Sequence, residues 1–489
     1  MPRHALSRRP RLRSGSYALA AAAVLAAQLA LAPPAAGSSA AGPRSTADRG
    51  VAATPLGELV GGPLFEDGKL LASDGVVLDY FGHAVAVSGD TIVVGAWGDD
   101  DNGSGSGAVY VFVRPAGGWA AVLEEAAKLL PSDGVAGDVF GGAVAISGDT
   151  VVVGAEGADD FGNNSGAAYV FTRPAGGWAG TVAESAKLVP SDPGGEDRFG
   201  TSVAIDGATV VVGAPGYDVP CFPSECSTGA AYVFTEPAGG WAGTVMEAAT
   251  LLASDWSPVL HGGLLGHAVA VSGQTVAASD FFYHQQGNDS GAVWVFLQPA
   301  GGWAGAQYED AKLLASDGAL DDNLGFSVAA SGTTIVAGAW RHDAGGFDTG
   351  AAYVFTEPAG GWTGTLFESA KLQSSAFVPE AYFGRSVAVT EGRVVVGAWS
   401  EVFDDGAAYF FDEPPGGWGG MTLDVELAAS DGAPSDEFGV PVAAGGGTIV
   451  VGAQGASIAT GAAYVYDFSL IFADGFESGD LGQWSSTVP

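Results

Sequence analysis

One pattern of apolar and polar positions occurs seven times between residues 81 and 466. Each unit opens with a Phe-Gly or Leu-Gly pair, followed by alternating apolar residues, a tight turn and a β-branched run such as TVVVGA at 150–155. A polar loop and a run such as GAAYVF at 166–171 complete the pattern. Alternation with period two and enrichment in Val, Ile, Tyr and Phe predict short β-strands. The seven pairs begin at Phe81, Phe140, Phe199, Leu265, Leu324, Phe383 and Phe438.

A fourth strand is predicted in each unit at a run that is usually Lys-Leu. Six of the units reach this run through a Pro-x-Gly-Gly-Trp segment, whose tryptophans we expect to pack between units. Helical periodicity is absent, and 78 glycines disfavour long helices. The fourth strands begin at Lys69, Lys128, Lys187, Thr250, Lys312, Lys371 and Glu426.

Seven units of four strands predict an all-β fold, a seven-bladed β-propeller of four-stranded blades. The last unit has no Lys-Leu run after it, whereas a spare one, Lys69 to Ser73, precedes the first Phe-Gly pair. We expect this N-terminal strand to dock on the last blade and close the ring. An open solenoid is the alternative architecture.

The repeated unit resembles the FG-GAP repeat, the blade of integrin α-subunit propellers and of many exported bacterial proteins. The resemblance covers residues 67–467, and its bacterial form, KLxxSDGxxxDxFGxxVAxSGDTxVVGA, is matched at 128–155. It implies a seven-bladed propeller and adhesion or partner binding outside the cell. Integrin-type repeats hold Ca²⁺ in an Asp-x-Asp-x-Asp-Gly loop, but here that segment is only a turn such as Gly148-Asp149. The integrin-type calcium loop is therefore absent.

The N-terminal region predicts export. An Arg-rich start, an apolar run at 17–32 and small residues after it are typical of a secretory signal peptide, cleaved near Gly37 or Ala40. An uncleaved anchor or a transit peptide is the alternative. We predict a signal peptide at 1–37, a low-complexity linker at 38–66, the propeller at 67–467 and a C-terminal tail at 468–489.

Charge excludes several kinds of partner. The net charge is −37, and only eleven basic side chains follow residue 49, against 54 acidic ones. Such a body repels a phosphate backbone, so we expect no nucleic-acid partner, and anionic lipid surfaces are disfavoured too. No stretch is long and apolar enough to predict a membrane span.

The two cysteines, Cys221 and Cys226, lie in the segment CFPSEC. In an oxidising compartment we expect them to form a small disulfide. Two unpaired thiols are the alternative.

Acidic residues suggest weak cation sites at most. Asp pairs recur in Ser-Asp-Gly-x-x-x-Asp-x-Phe-Gly loops, where we expect them to bond local backbone amides. The variable loops offer Asp99 and Asp101 in blade 1 and Asp159 and Asp160 in blade 2. Asp99-x-Asp101-x-Gly103 is a fragment of a calcium loop without the later bidentate acid, so weak Ca²⁺ binding stays a hypothesis.

Aromatic and polar side chains in the loops of blades 3–5 are candidate ligand-binding residues. Such mixtures bind sugars or peptides, although packing over the long insertion in blade 4 explains them equally well. The candidates are Trp256, His261, Phe281, Phe282, Tyr283, His284, Trp340 and His342.

We predict from these features a secreted, non-enzymatic, monomeric propeller that binds an extracellular protein or polysaccharide through its loop face. Its location is extracellular or at the cell surface, with the periplasm as an alternative. A glycan-binding lectin that uses blades 3–5 is the second hypothesis, and an extracellular hydrolase or lyase is the third. No catalytic motif and no certain cofactor is found in the sequence.

Overall fold

The computed structural model describes residues 63–220, 225–255, 263–343, 346–375, 378–400, 406–419 and 424–468. The predicted signal peptide, most of the predicted linker and nearly all of the tail lie outside these residues. So do Trp256, His261 and Cys221, while Cys226 lies on a short hairpin strand.

The described residues form seven sheets, in which four antiparallel strands follow one another from the axis outwards. The innermost strands are β3 (Ala84–Ser88), β8 (Ala143–Ser147), β13 (Ser202–Asp206), β20 (Val269–Ser272), β25 (Leu324–Ser331), β30 (Phe383–Thr390) and β34 (Val442–Gly445). The second strands are β4 (Thr91–Ala96), β9 (Thr150–Ala155), β14 (Thr209–Ala214), β21 (Thr275–Asp280), β26 (Thr334–Ala339), β31 (Arg393–Ala398) and β35 (Thr448–Ala453). The third strands are β5 (Ala108–Val113), β10 (Ala167–Thr172), β17 (Ala230–Thr235), β22 (Ala292–Leu297), β27 (Ala351–Thr356), β32 (Ala407–Asp412) and β36 (Ala462–Asp467). The fourth strands are β7 (Ala127–Leu129), β12 (Ala186–Val189), β19 (Ala249–Leu252), β24 (Ala311–Leu314), β29 (Ala370–Leu372), β33 (Asp424–Ala428) and β2 (Gly68–Leu70).

The seven sheets are the blades of a closed ring, which confirms the predicted propeller. Each innermost strand contacts the next one, and β34 of blade 7 contacts β3 of blade 1. Strand β2 pairs antiparallel with β36, in the register Lys69 to Tyr464, and so supplies the fourth strand of blade 7.

A fifth, parallel strand lies on the outer edge of six blades, beyond the four that the sequence predicts. Each has two to four residues and precedes the fourth strand of the following blade, so it ties one blade to the next. Runs this short and this exposed carry no alternation that could be recognised. These strands are β1 (Leu64–Phe65), β6 (Ala121–Leu123), β11 (Gly180–Val182), β18 (Gly243–Met246), β23 (Gly305–Tyr308) and β28 (Gly364–Phe367). Strand β1 precedes the predicted propeller start at residue 67.

Two glycines in six of the seven units allow neighbouring blades to approach closely; in blade 4, Ser279-Asp280 replaces the Gly-Ala pair. A Cβ on Gly154, in the Gly-Ala pair of blade 2, would lie 1.9 Å from the carbonyl oxygen of Gly200 in the Phe-Gly pair of blade 3. Gly200 itself has φ +96°, a conformation that favours glycine. The repeated Phe-Gly and Gly-Ala pairs are therefore explained by packing between blades.

The core lies between adjacent blades, in seven apolar clusters. One cluster combines Val151 and Val153 of blade 2 with Val109 and Val111 of blade 1. The tryptophans of the Pro-x-Gly-Gly-Trp segments are all buried in such clusters, as predicted; they are Trp119, Trp178, Trp241, Trp303, Trp362 and Trp418.

The remaining elements are the hairpin of β15 (Asp218–Pro220) and β16 (Glu225–Ser227) and a single short helical turn, α1 (Ala456–Ala459), among the described residues. None of the described helical segments could cross a membrane.

Candidate functional site

The loops of each blade fall alternately on two faces because consecutive strands run antiparallel. One face carries the loops between second and third strands and the loops that lead from a fourth strand to the next blade. We call it the loop face. Hydrogen bonds link its loops across blades, for example from Val139 N to Gly105 O and from Leu78 N to Ala459 O.

A cluster of one aspartate, one tyrosine and one lysine recurs on this face. In blade 2 the Tyr169 hydroxyl donates to Asp133 at 2.9 Å, and Lys187 Nζ donates to the same carboxylate at 2.6 Å. The ammonium lies 5.0 Å from the centre of the Tyr169 ring. The aspartate belongs to the loop arriving from the previous blade, so the cluster joins two blades. The same trio occurs as Asp74–Tyr110–Lys128, Asp317–Tyr353–Lys371 and Asp431–Tyr464–Lys69.

Electrostatics keep the aspartate of the cluster ionised and its tyrosine protonated. Burial alone would raise the pKa of Asp133, but its hydrogen bond from Lys187 and the charge of that lysine outweigh burial and lower the pKa. Burial and the nearby carboxylate both raise the pKa of Tyr169, which therefore keeps its proton and donates it.

The predicted cation sites of blades 1 and 2 contribute to these clusters. Asp99, which is 4% exposed, and Asp101 lie 2.9 Å and 2.7 Å from Lys128 Nζ, together with Asp74. Burial would lower the pKa of Lys128, but the hydrogen bonds with Asp101, Asp74 and Asp99 raise it. A lysine ammonium thus occupies the centre of these carboxylates.

In blade 2 the two predicted cation ligands have separate partners. Asp160 pairs with Lys187, and Asp159 accepts a hydrogen bond from the backbone of Asn164. Throughout the described part of the chain, no three His, Cys, Asp or Glu side chains are grouped as a metal site would require.

In blades 3, 4 and 5 the cluster also includes the third residue after the Gly-Ala position, which is occupied by Ser279-Asp280 in blade 4. Tyr217 donates to Asp192 in blade 3, where Thr250 replaces the lysine. Tyr283, which is 1% exposed, donates to Asp255 in blade 4.

His342 has the equivalent place in blade 5. Its Nδ1 lies 2.9 Å from Asp322 and its Nε2 lies 2.6 Å from Lys371 Nζ. The predicted ligand-binding residues Tyr283 and His342 are therefore buried parts of the Asp–Tyr–Lys clusters that recur between blades, which we call the repeated frame.

The two members of each Asp pair have different roles. The second accepts a local backbone N–H, as predicted; Asp138, for example, accepts from Val135 at 2.8 Å. The first, Asp133 in that loop, instead binds the tyrosine and lysine of the next blade. Sequence reasoning missed this second role because the partners lie 36 and 54 residues away.

A glutamate–serine contact further ties adjacent blades. Glu125 of blade 1 accepts hydrogen bonds from the backbone and hydroxyl of Ser73, which follows β2 of blade 7. Glu66 binds Ser430 in the same way. Equivalent pairs are Glu184–Ser132, Glu247–Ser191, Glu309–Ser254 and Glu368–Ser316.

Side chains that break the repeat gather at the axial ends of the inner strands, on the loop face. They occupy the positions that flank the Phe-Gly pair or directly follow the Gly-Ala pair. In blades 4, 5 and 6 we call them the central arc, which consists of His267, Phe281, Phe326, Trp340, Tyr382, Arg385 and Trp399.

The central arc is a continuous set of ring contacts. His267 lies 4.5 Å from Phe281 and 5.0 Å from Phe326, between ring centres. The Arg385 guanidinium carbon lies 4.6 Å from the ring centre of Phe326, 4.9 Å from that of Trp340 and 5.0 Å from that of Trp399 in blade 6. Burial and the charge of Arg385 lower the pKa of His267 to about 4, so this imidazole is neutral near pH 7.

Blades 1, 2 and 7 bring polar groups to the same positions. Gln454 Nε2 donates to Glu437, so its oxygen faces His83 Nδ1 at 2.6 Å. His83 Nδ1 therefore carries the hydrogen and Nε2 is left as an acceptor. Burial lowers the pKa of His83 and outweighs the hydrogen bond with Gln454 and the charges of Glu156 and Glu437, which raise it; the charge of Arg385 adds a smaller lowering effect.

A cavity of about 390 Å³ opens beside His83. The Trp97 ring forms one of its sides, and Glu156 accepts a hydrogen bond from Thr201 there. The remaining lining residues are Val139, Gly142 and Gly200.

We call the central arc and the cavity beside His83 together the axial site, and three predicted ligand-binding residues lie there. Phe281 and Trp340 belong to the central arc, and Phe282 contacts Phe281 at 4.3 Å. His284 instead pairs with Asp289 in the blade 4 loop. Sequence reasoning missed the other members of the arc, although a comparison of the residues beside each Phe-Gly and Gly-Ala pair would have found them.

Exposed apolar side chains also lie in the loops of the loop face. A second exposed set lies on the fifth strands at the outer edge: Phe65, Val122, Met246, Tyr308 and Phe367. The loop-face set is Val76, Val77, Leu78, Val135, Phe161, Leu320, Phe347 and Ile458.

Comparison with known proteins agrees with this architecture. The FG-GAP repeat matches residues 65–112, 123–171, 182–234, 308–355, 367–411 and 421–466, more than half of the chain. The longest unmatched stretch between the repeats, 235–307, contains the first three strands of blade 4, whose cluster is built differently. No curated protein matches the chain. With its seven blades and repeated Phe-Gly and Gly-Ala packing, the chain belongs to the FG-GAP repeat family.

Proposed function

We propose that this protein is a secreted, non-enzymatic propeller that binds an extracellular protein or matrix polymer through its loop face. One observation carries the proposal: the side chains that depart from the repeat are collected on that face. The repeated residues serve packing between blades, whereas the half-buried aromatic rings of the central arc and the exposed apolar side chains in the loops of this face have no role in the repeat. Exposed apolar surface of this kind is typical of partner-binding sites.

The absence of catalysis is part of the same proposal. The recurring carboxylates, tyrosines and lysines that could act as acids or bases bind one another in the Asp–Tyr–Lys clusters. Their repetition in several blades fits a structural role better than a single reaction centre.

A pair of matched variants tests the binding face. Val76→Ser/Val77→Ser removes two side chains of the loop face that are 57% and 56% exposed. Val122→Ser/Tyr308→Ser removes two of the outer edge that are 60% and 56% exposed. We expect the purified mature protein and the edge variant to bind extracellular matrix from the producing culture, and the loop-face variant to bind more weakly.

Equal binding by both variants would contradict the proposed face. Export is tested separately by the N-terminal sequence of the protein recovered from the medium, which we expect to begin after Gly37 or Ala40.

A second candidate function, a glycan-binding lectin, is favoured by the aromatic rings of the central arc. Sugar rings pack their apolar faces on aromatic side chains. A glycan array with the wild-type protein and Phe282→Ala tests it. No bound glycan would exclude this candidate and leave the protein-binding proposal standing.

A further inference from the structure

Arg385 is exceptional among the basic residues of this acidic protein. Nine of the eleven basic side chains after residue 49 form ion pairs with carboxylates. Within the described residues Arg198 and Arg385 have none, and Arg198 is exposed whereas Arg385 is half-buried. The charge of Glu437 acts on Arg385, but no carboxylate of the described residues forms an ion pair with it. A half-buried cation without a close partner is costly unless a ligand compensates it.

The aromatic rings of the central arc contact the face of this guanidinium and do not accept hydrogen bonds from the N–H donors at its edge. Phe326, Trp340 and Trp399 contact Arg385 as cation–π partners. Such contacts leave the five N–H donors in the guanidinium plane without acceptors, and no side chain of the described residues accepts from them. A carboxylate is the ligand group that matches this planar fork in charge and in geometry.

The neighbouring cavity supplies complementary polar groups. Its volume of about 390 Å³ lies in the range of small-molecule sites. His83 Nε2 and the Glu156 carboxylate are acceptors for hydroxyl groups, and Trp97 provides an aromatic face. His83, Gly142 and Thr201 line the cavity from the same repeat position that Arg385 holds in blade 6, directly after the Phe-Gly pair. The cation and these polar groups therefore lie around the same axis.

We propose that the axial site binds a uronic acid unit of an extracellular polysaccharide, with its carboxylate on Arg385 and its ring against the aromatic side chains. The proposal rests on the lectin function and narrows it to an acidic sugar. The net charge of −37 disfavours polymers with a carboxylate on every unit, so we expect the uronate to be flanked by neutral sugars.

Calorimetric titration with a trisaccharide that carries one central galacturonate tests the proposal. The control ligand is the same trisaccharide as its methyl ester, which keeps the ring and removes the charge. We expect the acid to bind about 10- to 100-fold more tightly than the ester, because hydrogen bonds to a charged group are lost with esterification. We expect Arg385→Gln to abolish this preference and Arg385→Lys to retain part of it.

Arg341→Gln is the matched control variant. Arg341 also lies over the Trp340 ring, at 5.5 Å, but it pairs with Asp348. We expect it to bind the acid as the wild type does. Melting temperatures of all variants show whether a lost preference reflects unfolding.

The other possible results would overturn the uronate proposal, and they differ in whether the lectin and matrix-binding functions are left standing. Equal binding of acid and ester would overturn the proposal and leave a lectin for neutral sugars. Preference for a peptide with a free C-terminal carboxylate over the trisaccharide would overturn it in favour of a protein partner. Binding of no sugar would overturn both the proposal and the lectin function, while matrix binding could still occur through the loop-face apolar residues.

Discussion

Blades 1 and 4 build the same Asp–Tyr–Lys cluster from different parts of the chain. In blade 1, Tyr110 of the third strand donates to Asp74. In blade 4, Trp294 occupies that strand position, and the hydroxyl comes from Tyr283 in the preceding loop, which donates to Asp255. The two rings of blade 4 meet edge to face, with centres 5.0 Å apart.

The difference shows what the frame requires. A hydroxyl and an ammonium must lie beside the aspartate of the incoming loop, and the position that supplies the hydroxyl can change. Lys312 accordingly lies over both the Tyr283 ring, at 4.6 Å, and the Trp294 ring, at 5.4 Å. Some departures from the repeated sequence, such as Tyr283 and Trp294, therefore rebuild the cluster, in contrast to the rings of the central arc, which have no counterpart in it.

Removing the lysine should show the largest difference between the two blades. Lys128→Met leaves Asp74, Asp99 and Asp101 without their shared cation, and Asp99 is buried. We expect it to lower the free energy of unfolding by about 3–5 kcal/mol, measured by urea unfolding followed by tryptophan fluorescence.

The matched change in blade 4 is Lys312→Met, which leaves a single carboxylate, that of Asp255, without its cation. We expect a smaller loss, of about 1–3 kcal/mol. Equal losses in the two blades would show that the additional carboxylates of blade 1 do not depend on Lys128.

Exchanging the source of the hydroxyl tests whether the two arrangements are equivalent. Tyr283→Phe removes the hydroxyl beside Asp255 and should lower the free energy of unfolding by about 1–3 kcal/mol. In the double variant Tyr283→Phe/Trp294→Tyr, the hydroxyl returns at the strand position used by blade 1. We expect the double variant to be more stable than the sum of the single effects by about 0.5–3 kcal/mol.

The double-mutant cycle is completed by Trp294→Tyr alone, with all four proteins unfolded in urea. Additive effects would mean that a tyrosine at 294 cannot replace Tyr283.

The glutamate–serine contacts should be insensitive to the difference between blades 1 and 4. Glu125 binds Ser73 at blade 1, and Glu309 binds Ser254 at blade 4, through the same two hydrogen bonds. We expect Glu125→Ala and Glu309→Ala each to lower the free energy of unfolding by about 0.5–1.5 kcal/mol. A clearly larger loss in one blade would show that the divergence of blade 4 extends beyond its cluster.

The sequence predicted the propeller because its signals are local. Period-two strands and the Phe-Gly and Gly-Ala pairs recur at nearly constant spacing, and each needs only neighbouring residues to be recognised. The fifth strands were missed because a run such as Ala121–Leu123 pairs with β2, more than fifty residues away. The place of the N-terminal strand was predicted from the count of Lys-Leu runs. The run at Lys69 precedes the first unit, whereas the last unit lacks such a run, so one completes the other.

The axial site was predicted only in part for the same reason. Phe281 and Trp340 were found as unusual residues within their loops. Arg385 and Tyr382 flank the Phe-Gly pair of blade 6, where a comparison of the repeats would have marked them as unusual. Only the closed propeller shows that they contact the aromatic side chains of blade 5. Tyr283 and His342 looked like ligand-binding residues because their partners lie in the incoming loops and on the fourth strands.

The smallest expected effect is a pH dependence of stability in the loop that enters blade 1, where Asp74 and Asp79 act with opposite sign and where blade 4 lacks the counterpart of Asp79. Burial would raise the pKa of Asp74, but the hydrogen bonds from Lys128 and Tyr110 lower it below the ordinary value of 3.8. Its contribution to stability is therefore complete above pH 3.8 and is lost as the pH falls through the lowered value.

Asp79, in the same loop, has the opposite sign. Burial and the charge of Asp99 raise its pKa above 3.8, so its ionised form opposes folding near pH 7 and protonation relieves that cost as the pH falls. Blade 4 has Gly263 at this position and so lacks the group. An NMR titration of the carboxyl carbons should show Asp79 protonating at a higher pH than Asp74. Asp79→Asn keeps an acceptor for the Val76 amide and should stabilise the protein more at pH 7 than at pH 4, whereas the reverse order would place the buried charge elsewhere in the loop.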